Sequence, residues 1–214
     1  ITGILHNRSS VLSPIAQWVF KPSLSSKDQF RLGLARTFSA PQPWQLLPRR
    51  YSVNNSNGPT NPDQQGNPAL RPEIAWGLDA SYEHYIGKDG LVSLGAYARR
   101  IDDVILRLLY VQDGLWTTTP YNAGKARTHG LTLDARFALA DLLPTEADVQ
   151  FTANLTRNVS RVASVPGPDN RLADQTPLSG NVGLHWQASK RFSSSVDYSY
   201  SGRGTNPVCA EWTR

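Results

Sequence analysis

Strict alternation of apolar and polar side chains, recurring in one segment after another, constrains this chain more than any other feature. From Glu73 to Tyr85, Ile74, Trp76, Leu78, Ala80 and Tyr82 fall on one side, and Glu73, Gly77, Asp79, Ser81 and Glu83 on the other. Successive side chains of a strand point to opposite faces, so the pattern reads as a strand with one apolar and one polar surface. Phe30, Leu32 and Leu34 alternate in the same way with Gln29, Arg31 and Gly33. So do Val149, Phe151, Ala153 and Leu155 with Gln150, Thr152, Asn154 and Thr156, and Val182, Leu184 and Trp186 with Asn181, Gly183, His185 and Gln187. The last clear strand sets Phe192, Val196, Tyr198 and Tyr200 against Ser193, Ser195, Asp197 and Ser199.

The connections alternate too. Short turns fall near Pro22 to Asp28, Gly87 to Gly90 and Ala188 to Arg191, with a longer one around Leu139 to Asp148. Between them lie long, polar, breaker-rich loops at Ala40 to Pro72 and at Arg161 to Gln175. Short turns at one end and long loops at the other are the rhythm of an up-and-down barrel in an outer membrane. The expected fold is therefore all-β: an antiparallel, transmembrane β-barrel segment of about eight strands, too few to close a large barrel. Leu91 to Val111 and Leu115 to Phe137 read as two unusually long strands joined at Gln112-Asp113-Gly114, longer than a crossing of about 9 to 11 residues requires. Asp134 to Leu143, where Ala, Leu and Asp crowd together, reads either as a strand end with a turn or as a short helix.

Composition narrows the rivals. The 16 Gly and 15 Pro disfavour a helical bundle, and 39% hydrophobic residues disfavour a disordered chain. No window holds the roughly 18 consecutive apolar residues of a spanning helix; the greasiest run, Val104 to Val111, is interrupted by Arg107. A membrane role must then use strands. The net charge of +5 is spread along the chain, without the clustered basic stripe of a nucleic-acid-binding surface, so no nucleic acid is expected as a partner. The single Cys209 rules out an intramolecular disulfide and reads as an incidental thiol. Aromatics such as Trp18, Phe20, Phe38, Tyr82, Tyr85, Trp186, Tyr198 and Tyr200 sit near strand ends, as in an interfacial girdle, with Trp44, Tyr110, Trp116 and Tyr121 read in the same way.

Two segments carry a family resemblance. NPALRPE, residues 67 to 73, ends the longer loop just before the cleanest alternating strand. It resembles the element of TonB-dependent receptors that precedes a barrel strand, matched here at Asn67, Pro68, Leu70, Pro72 and Glu73. The two prolines stiffen the chain and hold the residues before them extended. YNAGKARTHGLTLDA, residues 121 to 135, is similar to a second element of the same family, matched at Asn122, Gly124, Ala126, Gly130, Leu131, Leu133 and Ala135, with Asp134 where the family usually has Glu. Glycine inside a strand permits a bend or a close approach, the role read for Gly124 and Gly130. YARRIDDVI at 97 to 105, and Ser13 to Phe38 closed by FSAP, resemble further pieces in the same order.

The resemblance implies part of the barrel of an outer-membrane receptor for active uptake of a scarce nutrient, most commonly a ferric siderophore. Vitamin B12, haem or an oligosaccharide are other substrates it allows. It implies a bacterial outer-membrane location, lipid and lipopolysaccharide as surroundings, and contact with the TonB complex through a plug region. Nothing here resembles that plug, the start lacks an export signal, and the end, Cys209 to Arg214, lacks a terminal aromatic strand, so residues 1 to 214 are expected to be part of the barrel domain, either an internal piece or a truncated reading frame. The implied ligand site is the outer mouth, with Arg49, Arg50 and Tyr51 in the first long loop, Trp116 near the tight turn, and Arg161 and Arg171 in the later loop as candidates. An arginine beside an aromatic attracts and stacks on an anionic chelate, although a loop arginine is also ordinary solvated charge or a contact for lipopolysaccharide phosphates.

No enzyme is expected. His6, His84, His129 and His185 are scattered, Asp102 and Asp103 would face opposite ways on a strand, and there is no nucleophile elbow, phosphate loop or zinc signature, so no cofactor and no metal site is expected. Asn7, Asn154 and Asn158 match a glycosylation acceptor pattern, two of them on or beside a strand where a glycan has no room. Two rival classes share the alternation. A passive porin-like barrel would lack the two motifs, and a soluble β-sandwich would pack its apolar faces on each other.

Overall fold

The computed structural model describes residues 8–87, 89–167, 170–172 and 175–204, and the backbone of 209–210. His6, Asn7 and Glu211 to Arg214 lie outside the described residues. In chain order the strands are β1 (Ile15–Phe20), β2 (Asp28–Ser39), β3 (Arg50–Tyr51), β4 (Asp63–Gln65), β5 (Glu73–Ile86), β6 (Gly90–Asp102) and β7 (Ile105–Gln112). They continue with β8 (Leu115–Asn122), β9 (Ala126–Ala138), β10 (Asp148–Val162), β11 (Leu178–Ser189), β12 (Phe192–Ser201) and β13 (Cys209–Ala210). Eight of them form one antiparallel sheet in the order β1-β2-β5-β6-β9-β10-β11-β12. That sheet is unclosed, and its strands follow one another up and down as the alternation and the connection lengths demand.

Register extends the alternation of single strands into two sheet faces. Phe30, Tyr82, Leu94, Leu133 and Leu155 stand side by side on β2, β5, β6, β9 and β10. Their neighbours in sequence form the polar face, where Arg31 pairs with Glu83 at 2.7 Å and the Tyr97 hydroxyl donates to Asn158 Oδ1 at 2.6 Å. Asn154 donates to Asp134 on the same face. The apolar face stays open: Leu131 is 55% exposed and Val196 70%. Among the described residues no second layer covers it, which removes the sandwich reading. An open apolar surface of this extent marks a face built for contact with something other than water.

Aromatic side chains line the apolar face at the short-turn end. Phe20, Phe30 and Tyr82 form a chain of rings with centroids 6.3 and 5.1 Å apart, Phe137 stacks near Phe151 at 5.1 Å, and Trp186 meets Phe192 edge-on at 6.4 Å. The girdle expected from the sequence is thus present at this end, whereas Trp44, Tyr110, Trp116 and Tyr121 belong to a separate structure at the other.

That structure corrects the sequence reading of two very long strands. Leu91 to Val111 breaks at Asp103 and Val104, and Leu115 to Phe137 breaks at Ala123 to Lys125, so that β7 and β8 leave the main sheet. The breaks require unusual backbone: Asp103 has φ 60° and Gly124 has φ 95°. The β7–β8 hairpin turns through Asp113 (φ 53°) and Gly114 (φ 75°), the paired positive angles that an Asp-Gly turn supplies. The hairpin joins a second, five-stranded sheet in the order β13-β7-β8-β4-β3. The long 40–72 loop therefore carries order of its own, including a helical turn at Pro43–Leu46. Between the two sheets sits a small core of Val104, Leu106, Ala123, Ala126 and Val162. At the region the sequence left open, β9 runs to Ala138 and a single 3-10 turn, Leu139–Asp141, follows.

Candidate functional site

The two sequence motifs meet in space at the junction of the sheets. Asn122 accepts a hydrogen bond from the Arg71 amide and returns one to the Arg71 carbonyl, both at 3.0 Å, and donates to the Asp103 carbonyl at 2.8 Å. Glu73 accepts the Ile105 amide at 2.7 Å, and Arg71 pairs with Asp103 at 2.5 Å. Asn67 ties its own turn through the Ala69 amide and reaches the Pro120 carbonyl at 3.1 Å. Leu70 is buried beneath. These residues form a latch: they stitch the end of the 40–72 loop to both breaks at which the hairpin leaves the sheet, and they hold Asp103 in its left-handed conformation. A non-glycine residue there costs on the order of 1 kcal/mol or more, so a latch that over-determines it is physically required.

The glycines and the alanine of the second motif have packing reasons. Ala126 is 1% exposed in the core. A Cβ at Gly130 would lie 2.5 Å from both the Arg157 carbonyl oxygen and the Tyr97 ring, because Tyr97, its register partner, lies over it. The motif residues therefore build the junction.

Above the junction the second sheet and the helical turn frame a cleft of ≈ 290 Å³, lined by Trp44, Tyr51, Gln64, Gln65, Gly66, Arg107 and the β8 residues Thr118 to Pro120. That volume is at the small end for ligand sites. The Arg107 guanidinium stands 5.8 Å from the Trp44 ring, and that of Arg49 5.6 Å from the Tyr51 ring. Among the described residues no carboxylate comes within ion-pair distance of either arginine. Arg50, by contrast, pairs with the buried Asp63 at 3.6 Å. The Tyr110 hydroxyl donates to Gln65 Oε1 at 3.3 Å, and burial pushes its phenol above the ordinary range. The chemistry on offer is one cation in the cleft, Arg107 on the Trp44 ring, and a second outside the lining, Arg49 on the Tyr51 ring, a surface suited to a planar or anionic group. Gly66, in the cleft wall, lets the chain lie against the backbone of Gln45 and Leu47, since a Cβ there would be 2.3 Å from the Leu47 carbonyl oxygen.

The sequence candidates are distributed unevenly about this cleft. Tyr51 lines it, Arg49 stacks on Tyr51, and Arg50 is engaged with Asp63. Trp116 lies on β8 outside the lining, its backbone bonded to the Asn57 side chain at 2.7 and 2.8 Å. Arg171 lies exposed in the later loop. Arg161 is not in that loop but in β10, on the apolar face, two positions beyond Val159. Sequence reasoning missed Trp44 and Arg107 as partners. The one available signal was Arg107 as the lone charge in an apolar run. Among the described residues no three His, Cys, Asp or Glu side chains gather as a metal site.

Comparison with known proteins places these features. The family model described as "TonB dependent receptor-like, beta-barrel" matches residues 7–210. No curated protein matches the chain. Among solved structures it is similar to the copper transporter OprC, with TM-score 0.65 at 21% identity over 87% of this chain and 26% of that one. It is similar to the siderophore receptor PirA from Pseudomonas aeruginosa, with TM-score 0.63 at 21% identity over 89% and 30%. A variant of the ferric enterobactin receptor from Pseudomonas aeruginosa, solved with enterobactin, gives TM-score 0.64 at 19% identity over 89% and 28%. At such identities the likeness is one of fold, and the chain spans less than a third of each of these proteins.

Proposed function

The chain belongs to the TonB-dependent receptor-like β-barrel family, and from that premise we propose that it forms one section of a receptor barrel in a bacterial outer membrane that takes up a scarce nutrient. The observation that carries this reading is the two-faced sheet, with an open apolar face, a hydrogen-bonded polar face and the long connections gathered at one end. In a bilayer the apolar face meets lipid, the polar face lines the lumen, and the long-loop end looks outward. The plug and the remaining strands would come from elsewhere in the receptor, with the TonB complex as partner through the plug. The expected role is binding and transport rather than catalysis.

The cleft supports one substrate class. Two arginines on aromatic faces, without carboxylate partners among the described residues, fit an anionic, partly aromatic iron chelate, and ferric catecholate siderophores have that chemistry. The test is equilibrium binding of iron-labelled ferric enterobactin to the intact protein. Arg107→Ala and Trp44→Ala are each expected to weaken binding about tenfold or more, the range of an interfacial anchor. Equal affinity in both variants would remove the cleft from the account.

A further inference from the structure

Asn67 stands where the two walls of the cleft meet. One wall is the helical turn Pro43–Leu46, which carries Trp44, and the other is the β7–β8 hairpin, which carries Arg107. The walls are distant in sequence, so the 5.8 Å stack of Arg107 on Trp44 persists only if they are held at a fixed separation. The Trp44 indole is anchored within its own wall, donating to the Gln42 side-chain oxygen at 2.6 Å, so the ring travels with the turn.

The hairpin wall presents an unfinished edge. Its two-residue turn at Asp113-Gly114 makes Gln112↔Leu115 a hydrogen-bonded pair, and bonded and unbonded pairs alternate along an antiparallel ladder. Arg107↔Pro120 is then an unbonded pair, with the Pro120 carbonyl directed away from β7 toward the outer edge of β8. β4 covers that edge only at Thr117 and Thr118. Pro120 is buried and has no N–H of its own, and a buried carbonyl requires a donor. The Asn67 side-chain amide supplies it at 3.1 Å.

The same residue grips the opposite wall through its backbone. Its amide donates to the Gln45 carbonyl at 2.6 Å, and the preceding Gly66 amide donates to the Leu47 carbonyl at 2.9 Å. Asn67 Oδ1 accepts the Ala69 amide at 2.9 Å, which fixes the side chain with its donor end toward Pro120. Gln65 makes a second bridge, donating to the Pro48 carbonyl at 3.2 Å and accepting from Tyr110 at 3.3 Å, but it meets the hairpin nearer the tip. Asn67 meets it at the register partner of Arg107 itself.

We infer that Asn67 is the positioning residue of the cleft: by joining the Gln45 carbonyl to the Pro120 carbonyl it sets the gap between Trp44 and Arg107, and with it the affinity for a planar anion. A pair of anchoring side chains binds well when its geometry is fixed before the ligand arrives. Asn67 is outside the cleft lining, so it acts through Trp44 and Arg107. The role in binding rests on the reading of the cleft as the ligand site, whereas the role in setting the gap does not.

The intact protein in detergent, labelled with 5-fluorotryptophan, reports the gap without any ligand, and Trp44→Phe identifies the Trp44 fluorine signal. Arg107→Gln gives the signal of a ring with no cation over it. Asn67→Ala is expected to move the wild-type signal most of the way to that position, and to move it far less when Arg107 is already Gln. Asn67→Asp keeps the acceptor for the Ala69 amide and loses the donor to Pro120. It should shift the signal as Asn67→Ala does while the Ala69 amide keeps its hydrogen-exchange protection. Asn57→Ala frees the same edge of β8 at Trp116 and should leave the signal in place. Iron-labelled ferric enterobactin should bind about three- to tenfold more weakly to both Asn67 variants, the contribution of one side-chain hydrogen bond, and equally well to Asn57→Ala. Heat-modifiable gel mobility identifies the folded variants. A Trp44 signal that stays put in folded Asn67→Asp, or that Asn57→Ala displaces as far, would overturn the positioning role, and so would full affinity in either Asn67 variant. A wild type that binds no ferric enterobactin sinks the catecholate reading alone, and the fluorine signal still decides whether Asn67 sets the gap.

Discussion

Replacing Asn122 with Ala removes three hydrogen bonds at once, two to Arg71 and one to the Asp103 carbonyl. Each is worth about 0.5 to 1.5 kcal/mol net, and the two to Arg71 are exposed, which puts them at the lower end. The sum is about 2 to 3 kcal/mol of local stability at the point where the 40–72 loop is fastened to the hairpin breaks. Asp103 also loses a contact that holds its left-handed backbone, so part of that strain is released by letting the hairpin move. Hydrogen exchange of the intact protein in detergent reads this directly, because the Arg71 amide donates to Asn122 itself. At a factor of ten per 1.4 kcal/mol, its protection should fall about 30- to 140-fold. Amides in the middle of β9 and β10 should not change, since the main sheet does not depend on the latch. Asn122→Asp keeps the acceptor and loses the donor, so the Arg71 amide should retain most of its protection while the loop still loosens. Unchanged protection at Arg71 in the Ala variant would refute the latch.

Other consequences follow from the same geometry. Gly130→Ala drives a methyl group into the Tyr97 ring and the Arg157 carbonyl and should cost about 1 to 3 kcal/mol, read as a lower urea midpoint for unfolding from lipid vesicles. Leu133→Arg places a charge near the middle of the apolar band and should cost about 2 to 4 kcal/mol in that assay, whereas Thr132→Arg, facing the lumen, should cost far less. Burial favours the neutral Tyr110 phenol, so its contribution to stability is fully present below the ordinary phenol range near pH 10 and is lost as pH rises through the higher folded value. Absorbance at the phenolate band should reveal a late-titrating tyrosine that Tyr110→Phe removes.

Period-two alternation made the main sheet legible because every strand has one face in each environment, and the pattern survives in single segments such as Glu73 to Tyr85. Gly124 was legible as a bend, but the break at Asp103 was not. YARRIDDVI holds no glycine or proline to mark the break, and the forces that end the strand come from Asn122 and Glu73, distant in sequence. Arg161 was misplaced for a related reason, since a polar residue at a strand end looks like the start of a loop until its partner, Arg127, is known. The pairing of Trp44 with Arg107 spans the long loop and leaves no local trace. Tyr51 and Arg49 were legible because both members of the stacked pair sit in one short segment. The side-by-side placement of Arg36, Trp76, Arg100, Arg127 and Arg161 existed only once the register of five strands was fixed.

The two-faced sheet is tested most directly by cysteine scanning along β9, from Arg127 to Ala138, in the intact membrane-embedded protein with Cys209 replaced by Ser. Each site is spin-labelled and its collisions with oxygen, which concentrates in lipid, are compared with those of a water-soluble nickel chelate. Positions 131, 133, 135 and 137 should favour oxygen and positions 130, 132, 134 and 136 the chelate, with the preference reversing at every step. Uniform exposure along the strand, or protection of 131 and 133 from both reagents, would contradict a wall that separates lipid from lumen.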